Sequence, residues 1–213
     1  MERSEDILNK LASAQGRRDE IPNQELAAEI VETNNTEAIA ILVKNLNGKE
    51  KAVQNDCIKV LYEIGELQPT LISAYHEDFL HLLNHKNNRL QWGAMTALCC
   101  ISRVKPGEIY EKLPQIIDAA DAGSVITRDY AMNIMIELGS VPEYASQMFS
   151  LLTEQLLKSP PNQFPMYMER TAHLVNNDNK DKFISILETR IKDLEKESAR
   201  KRVEKMIRKL MKM

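Results

Sequence analysis

An apolar pattern recurs every 37 residues through the middle of this chain, and it restricts the fold more than any other feature of the sequence. Three segments align at that spacing: Val53 through Gly65, Leu90 through Ser102, and Thr127 through Gly139. Six columns carry the pattern: Val53/Leu90/Thr127, Cys57/Ala94/Ala131, Ile58/Met95/Met132, Val60/Ala97/Ile134, Leu61/Leu98/Met135 and Ile64/Ile101/Leu138. Seventeen of these eighteen positions are apolar, where a composition of 43% hydrophobic residues would supply about eight. Within each segment the spacing of the apolar positions marks one face of an α-helix.

A second helical face precedes each of these. It reads Ile39/Leu42/Val43/Leu46, then His76/Phe79/Leu80/Leu83, then Leu113/Ile116/Ile117/Ala120. A fourth copy, Phe149/Leu152/Thr153/Leu156, fits after deletion of one residue, and Pro142 arrives one residue early in agreement. Each unit is therefore expected to be an outer helix followed by an inner helix. Gly65 and Gly139 are expected to end inner helices, because glycine tolerates the left-handed conformation that closes a helix. Pro69 and Pro106 are expected to open the next helix, since proline is tolerated in a first turn. Asn88 and Ser124 are expected to cap the second and third inner helices.

One such pair cannot bury both of its apolar faces, so neighbouring pairs must stack into a continuous core. Composition agrees. Aromatic residues make up only 5% of the chain, and seven Gly and eight Pro are few for the turns of a β-sandwich or barrel. The expected fold is all-α: an α-α superhelix, or solenoid, of about four to five helix pairs. Residues 1–34 are expected to form an N-terminal helical cap, with short helices over 4–14 and 23–33. Residues 35–190 are expected to hold the repeats, and 191–213 a basic helical extension, all within a single solenoid. The last helix is expected to run from about Asp181 past Leu194 and on through Val203, Ile207 and Leu210. A fourth inner helix keeps Met168, Ala172 and Val175 in register but puts Glu169 where Ile58 stands in the first.

On these residues the chain resembles the HEAT-like/armadillo-type helical repeat superfamily. The HEAT inner-helix pattern, roughly Val-Arg-x-x-Ala-x-x-Ala-Leu-x-x-Leu-Gly, is matched by Val53, Cys57, Val60, Leu61, Ile64 and Gly65. Leu90, Ala94, Ala97, Leu98 and Ile101 match it again, and Ala131, Ile134, Met135, Leu138 and Gly139 a third time. The sequence departs from the pattern at the Arg, where Gln54 and Gln91 stand and only Arg128 fits. The resemblance implies that the inner helices line a concave face.

The candidate site follows from that face. The column Asn55/Trp92/Asp129 lies on the side of the inner helices away from the apolar stripe. It is flanked by Gln91, Arg128 and the column of Lys59, Asn133 and Arg170. A tryptophan among Gln, Asp and Arg has the composition of an interaction hot spot. The competing reading packs Trp92 into a seam between repeats and leaves the polar residues solvated. The expected partner is accordingly a protein or peptide held on the ridge, with no catalytic role, no cofactor and no metal.

Other chemistries are less well supported. No phosphate loop, dinucleotide fingerprint, nucleophile elbow or Cys-x-x-Cys pair occurs. Glu77, His81 and His85 share a helix face, but an exposed polar face accounts for them as well as a metal site does. Some HEAT-like proteins are alkylpurine DNA glycosylases that use aromatic and acidic residues in a basic groove, and Trp92, Arg128 and Asp129 are the matching residue types. Charge opposes that alternative. Residues 190–213 hold ten Lys+Arg against four Asp+Glu, a balance of +6, so the rest of the chain, with 18 basic and 27 acidic residues, carries −9. An acidic body repels duplex DNA. The basic tail, with Arg200, Lys201, Arg202, Lys205, Arg208 and Lys209, remains a second candidate surface. It would serve a nucleic-acid adaptor, or it packs on its own acidic body.

No apolar stretch reaches the roughly 18 residues of a membrane span. The start Met1-Glu2-Arg3-Ser4-Glu5-Asp6 lacks the basic and apolar regions of a secretory signal. Three cysteines, with Cys57 and Cys99 on apolar faces, read as reduced core thiols. The expected location is the cytoplasm.

Overall fold

The structure is a computed structural model and describes residues 4–213; the first three residues of the expected N-terminal cap lie outside the described residues. Every regular element among those residues is helical. In order these are α1 (Ser4–Asn9), α2 (Ile21–Thr33), α3 (Thr36–Asn45), α4 (Lys51–Leu67), α5 (His76–Leu82), α6 (Asn88–Ser102), α7 (Pro106–Glu111), α8 (Leu113–Ala122), α9 (Val125–Gly139), α10 (Ala145–Lys158), α11 (Phe164–Thr171), α12 (Lys180–Arg190) and α13 (Glu197–Leu210). None is long and apolar enough to cross a membrane. The chain divides into two compact units, the first ending at Ala131 and the second running Met132–Met213.

The repeat pattern marks the core. Of the eighteen positions in the six columns, all but Val53 are buried. The one polar member, Thr127, is fully buried because it belongs to a cap: its N–H donates to Ser124 Oγ at 3.3 Å, and the two hydroxyls lie 3.1 Å apart. Ser124 therefore caps α9 as its position suggests. The cap of α6 is Asn87 rather than Asn88, its side chain accepting from the Arg89 N–H.

The glycines serve close approach, not helix termination. Neither Gly65 nor Gly139 has a positive φ, and α4 runs two residues past Gly65. A Cβ on Gly65 would meet Ile72 Cδ1 at 2.7 Å and Cys100 Cβ at 3.1 Å. One on Gly93 would meet Ile58 Cγ1 at 2.6 Å, and one on Gly139 would meet Leu174 Cδ1 at 2.7 Å. Each of these positions lets a side chain about one repeat away seat directly against a helix backbone. The positive φ of a helix end belongs instead to Asn34, at φ 50°, where α2 gives way to α3.

The proline positions open extra helical segments. Pro69 begins a 3-10 turn over Pro69–Leu71, and Pro106 begins α7. Each brings an isoleucine, Ile72 or Ile109, into full burial at the same spacing of 37. These two repeats are thus more than helix pairs, because the connection between inner and outer helix is itself wound and packed.

In the second unit the single long terminal helix expected from sequence is two helices. A 3-10 turn over Ile191–Asp193 follows α12, and Leu194 is extended before α13 starts. Arg190 explains the break. Its guanidinium is buried and donates to the carbonyls of Leu156 (2.5 Å), Leu157 (2.7 Å) and Ser159 (2.7 Å), while Nε donates to Asp193 at 2.8 Å. It also lies over the Phe164 ring at 4.9 Å. The open carbonyls at the end of α10 are thereby satisfied by a side chain. Beyond the break, α13 packs on α11 and α12 with Val203 and Leu210 buried.

Two substitutions test this packing. Leu98→Ala, at a fully buried column position, is expected to lower unfolding free energy by about 2–5 kcal/mol in urea titration. Arg190→Ala, which strands buried carbonyls at the end of α10, is expected to cost roughly 3 kcal/mol in the same measurement. A loss below about 0.5 kcal/mol at Arg190 would show that solvent satisfies those carbonyls equally well.

Candidate functional site

The polar side of α4 and α6 in the first unit carries a connected set of charged and aromatic groups. Its position follows from the core, because Ile58 of α4 seats against Gly93 of α6, the residue next to Trp92. Trp92 is half-buried, which lies between the open-ridge and sealed-seam readings. Its ring is supported from two sides. Tyr62 lies 5.7 Å away, centroid to centroid, at a tilt of 48°, and the Arg89 guanidinium sits 5.6 Å from the indole. Thr96 Oγ1 donates to the Trp92 carbonyl at 2.9 Å.

Charge ties this cluster down. Glu20, in the segment leading into α2, pairs with Lys59 at 3.2 Å and with Arg89 through its other oxygen. Lys59 also pairs with Glu63 one turn on, and its ammonium lies 4.8 Å above the Tyr62 ring. Burial opposes the Lys59 charge, but hydrogen bonds to Glu63 and Tyr62 outweigh it and hold the pKa above the ordinary lysine range. Burial pushes the Tyr62 phenol up, against the stabilising ammonium of Lys59. Burial alone lowers the pKa of Arg89, which stays charged as arginines in proteins do. The net arrangement is a neutralised polar base beneath a partly open indole.

The sequence-predicted ridge residues divide accordingly. Lys59, expected on an open ridge, is a correction: it is 6% exposed and its ammonium is engaged by two carboxylates. Asn55 is half-buried and accepts from the Asn87 side chain at 2.9 Å. Gln91 donates to the Leu83 carbonyl at 2.6 Å, closing the end of α5. Arg128 and Asp129 are half-buried on α9, and Arg128 reaches the Gly123 carbonyl at 3.4 Å. In the second unit Arg170 donates to Asn133 at 3.1 Å, a contact between positions 37 apart. Glu66 and Arg103 in the first unit make a second contact at that spacing, at 3.5 Å.

Sequence reasoning missed Glu20, Tyr62 and Arg89, and the reason is simple. Their repeat equivalents are unlike them: Cys99 and Ile136 stand in the Tyr62 column, and Ala52 and Ile126 in the Arg89 column. A search for recurrence passes over residues that occur once.

The remaining candidates are engaged separately. Glu77 pairs with Lys112 at 3.0 Å, whose hydrogen bond holds the carboxyl below its usual range, and His85 Nδ1 accepts from the Asn87 N–H at 3.0 Å. On α13, Arg202 makes a two-point contact to Glu169 at 2.8 and 2.6 Å. That contact accounts for the acidic residue in the Ile58 column of the fourth inner helix. Lys201 pairs with Glu197 at 2.7 Å, Arg208 with Glu204 at 4.0 Å, and Arg200 donates to the Glu195 carbonyl. Lys205 and Lys209 are exposed or partly so along the same helix.

Comparison with known proteins gives the architecture a context. No protein-family model matches the chain, and no curated protein matches it. Solved structures do. A designed armadillo repeat protein in complex with the peptide (KR)4 is similar at a TM-score of 0.65, with 16% identity over 88% of this chain and 86% of that one. Computationally designed armadillo repeat proteins for modular peptide recognition give 0.64, with 14% identity over 98% of this chain and 99% of that one. An engineered protein gives 0.62 and 16% identity, with 100% of both chains covered. The architecture is an armadillo/HEAT-like helical repeat. At these identities the likeness is one of fold.

The indole environment is directly testable, because Trp92 is the only tryptophan. Native emission is expected to lie between those of free and fully buried indole. Tyr62→Ala is expected to move it red and raise acrylamide quenching, since one of its two supports is removed. Unchanged emission would mean the tyrosine ring contributes nothing to shielding the indole.

Proposed function

We propose that this chain is a non-catalytic scaffold that holds a peptide or extended protein segment on the inner-helix face of its first unit, with Trp92 as the anchor. The observation that carries this reading is the state of Trp92: a large ring left partly open, yet fixed by Tyr62, Arg89 and the ion pairs below it. Such a side chain loses little entropy when a partner covers it, and aromatic anchors of this kind concentrate binding energy. The charges of Lys59 and Arg89 beside it are already paired with carboxylates, although Arg89 Nε is buried without a hydrogen-bond partner among the described residues, so a partner need not neutralise a stranded charge. The likeness to repeat proteins designed for peptide recognition supports the same reading.

The test is a random-peptide display selection on the immobilised full-length protein, followed by titration of enriched peptides while Trp92 emission is recorded. Enriched peptides are expected to perturb the emission. Trp92→Ala is expected to weaken them by about 2 kcal/mol, roughly thirtyfold, with helicity unchanged by circular dichroism. Enriched peptides that bind wild type and Trp92→Ala equally would overturn the reading. A selection whose binders instead follow charge reversal at Lys205 and Lys209 would transfer function to the basic helix.

A further inference from the structure

The first unit also contains an electropositive cleft, although the chain outside the basic tail carries a net −9. It has a volume of about 620 Å³ and lies where the loop between α3 and α4 meets the loop between α5 and α6. That size falls in the range of about 300–1,000 Å³ typical of ligand pockets. Lys49 and Lys51 line one wall, and His85 and Lys86 the other. No Asp or Glu among the described residues lines it, and Glu50, between the two lysines in sequence, is exposed outside it. Lys49, Lys51 and Lys86 make no ion pair with any described residue. In Lys59 and Arg89, by contrast, the same unit neutralises its cations with carboxylates.

The cleft walls are held in place. Gln54 Nε2 donates to the Gly48 carbonyl at 2.9 Å, fixing the loop that carries Lys49. His85 Nδ1 accepts the Asn87 N–H at 3.0 Å, so the neutral ring carries its proton on Nε2 as a donor. The Asn87 side chain, itself buried, donates to Asn55 at 2.9 Å. That bond joins the cleft to the inner-helix column that contains Trp92.

We infer that this cleft binds an acidic peptide segment, whose carboxylates meet Lys49, Lys51, Lys86 and the His85 donor while the rest of the peptide continues onto the Trp92 face. The inference rests on the peptide-binding reading above, which supplies the chain that carries the carboxylates. A short acidic run matches a patch of cations confined to one cleft. A nucleic acid does not, because its phosphates, one per about 1.7 Å of duplex axis, extend past the cleft and meet the acidic body.

The test measures fluorescence anisotropy of rhodamine-labelled octa-glutamate, octa-lysine and a single-stranded DNA octamer with the full-length protein. Octa-glutamate is expected to bind in preference to the other two and to weaken as salt rises. The combined variant Lys49→Glu, Lys51→Glu and Lys86→Glu is expected to weaken it roughly tenfold or more. The matched variant Lys205→Glu, Lys209→Glu and Lys212→Glu, with the same change in net charge, is expected to stay within about twofold. Equal losses in the two variants, or a preference for octa-lysine or DNA, would overturn the inference.

The display-selected peptides, run in parallel, separate the two proposals. Peptides that need Trp92 but ignore reversal of the cleft lysines keep the scaffold reading and sink the cleft. Octa-glutamate binding that needs the cleft, beside selected peptides indifferent to Trp92→Ala, keeps the cleft and sinks the Trp92 face.

Discussion

The structure depends on how closely one inner helix can approach the next. Ile58 seats against the backbone at Gly93, Cys100 against Gly65, and in the second unit Leu174 against Gly139. At each place a side chain fills the space that a Cβ would take, so dispersion contacts form without a void. A methyl group at Gly93 would stand within 3 Å of Ile58 Cγ1 and force α4 and α6 to shift, whereas at Gly65 it would displace the Ile72 side-chain end and crowd Cys100 Cβ at 3.1 Å. The repeat is thus more than a recurring apolar stripe. It is a stripe whose partner surface has been thinned at the contact point.

That approach has a consequence on the opposite side of the helices. Once α4 and α6 are drawn together in register, Lys59, Tyr62, Arg89 and Trp92 are brought within reach of one another, and Glu20 closes over two of the cations. Partly buried cations cost desolvation energy unless paired, and here each is paired. The result is rigid without being sealed, which distinguishes it from the hydrophobic layer beneath. The basic helix at the far end of the sequence follows a related logic. Arg190 and Arg202 are engaged internally, one by the carbonyls of α10 and the other by Glu169, so much of the tail's charge has a structural partner.

Much of the helical layout was legible because burial leaves a periodic trace. Columns such as Leu61/Leu98/Met135 recur because every repeat must bury the same face. Ser124 and Pro106 were legible because capping and first-turn chemistry are local. The break between α12 and α13 was not. The apolar stripe continues through it, and the cause is the Arg190 guanidinium reaching carbonyls more than thirty residues earlier. Lys59 was misplaced for a related reason: its column faces away from the core, but Glu20, from outside the repeats, covers it.

The sequence by itself determined the all-helical class, the period of 37 and the identity of most core positions. These follow from composition and spacing, which act over a few turns of helix or repeat identically along the chain. Only the tertiary structure decided what surrounds Trp92, where the last helix breaks, and that three lysines without an ion pair among the described residues line one cleft. Those outcomes depend on residues that occur once and lie far apart in sequence. Their energies appear only when folding removes them from water together.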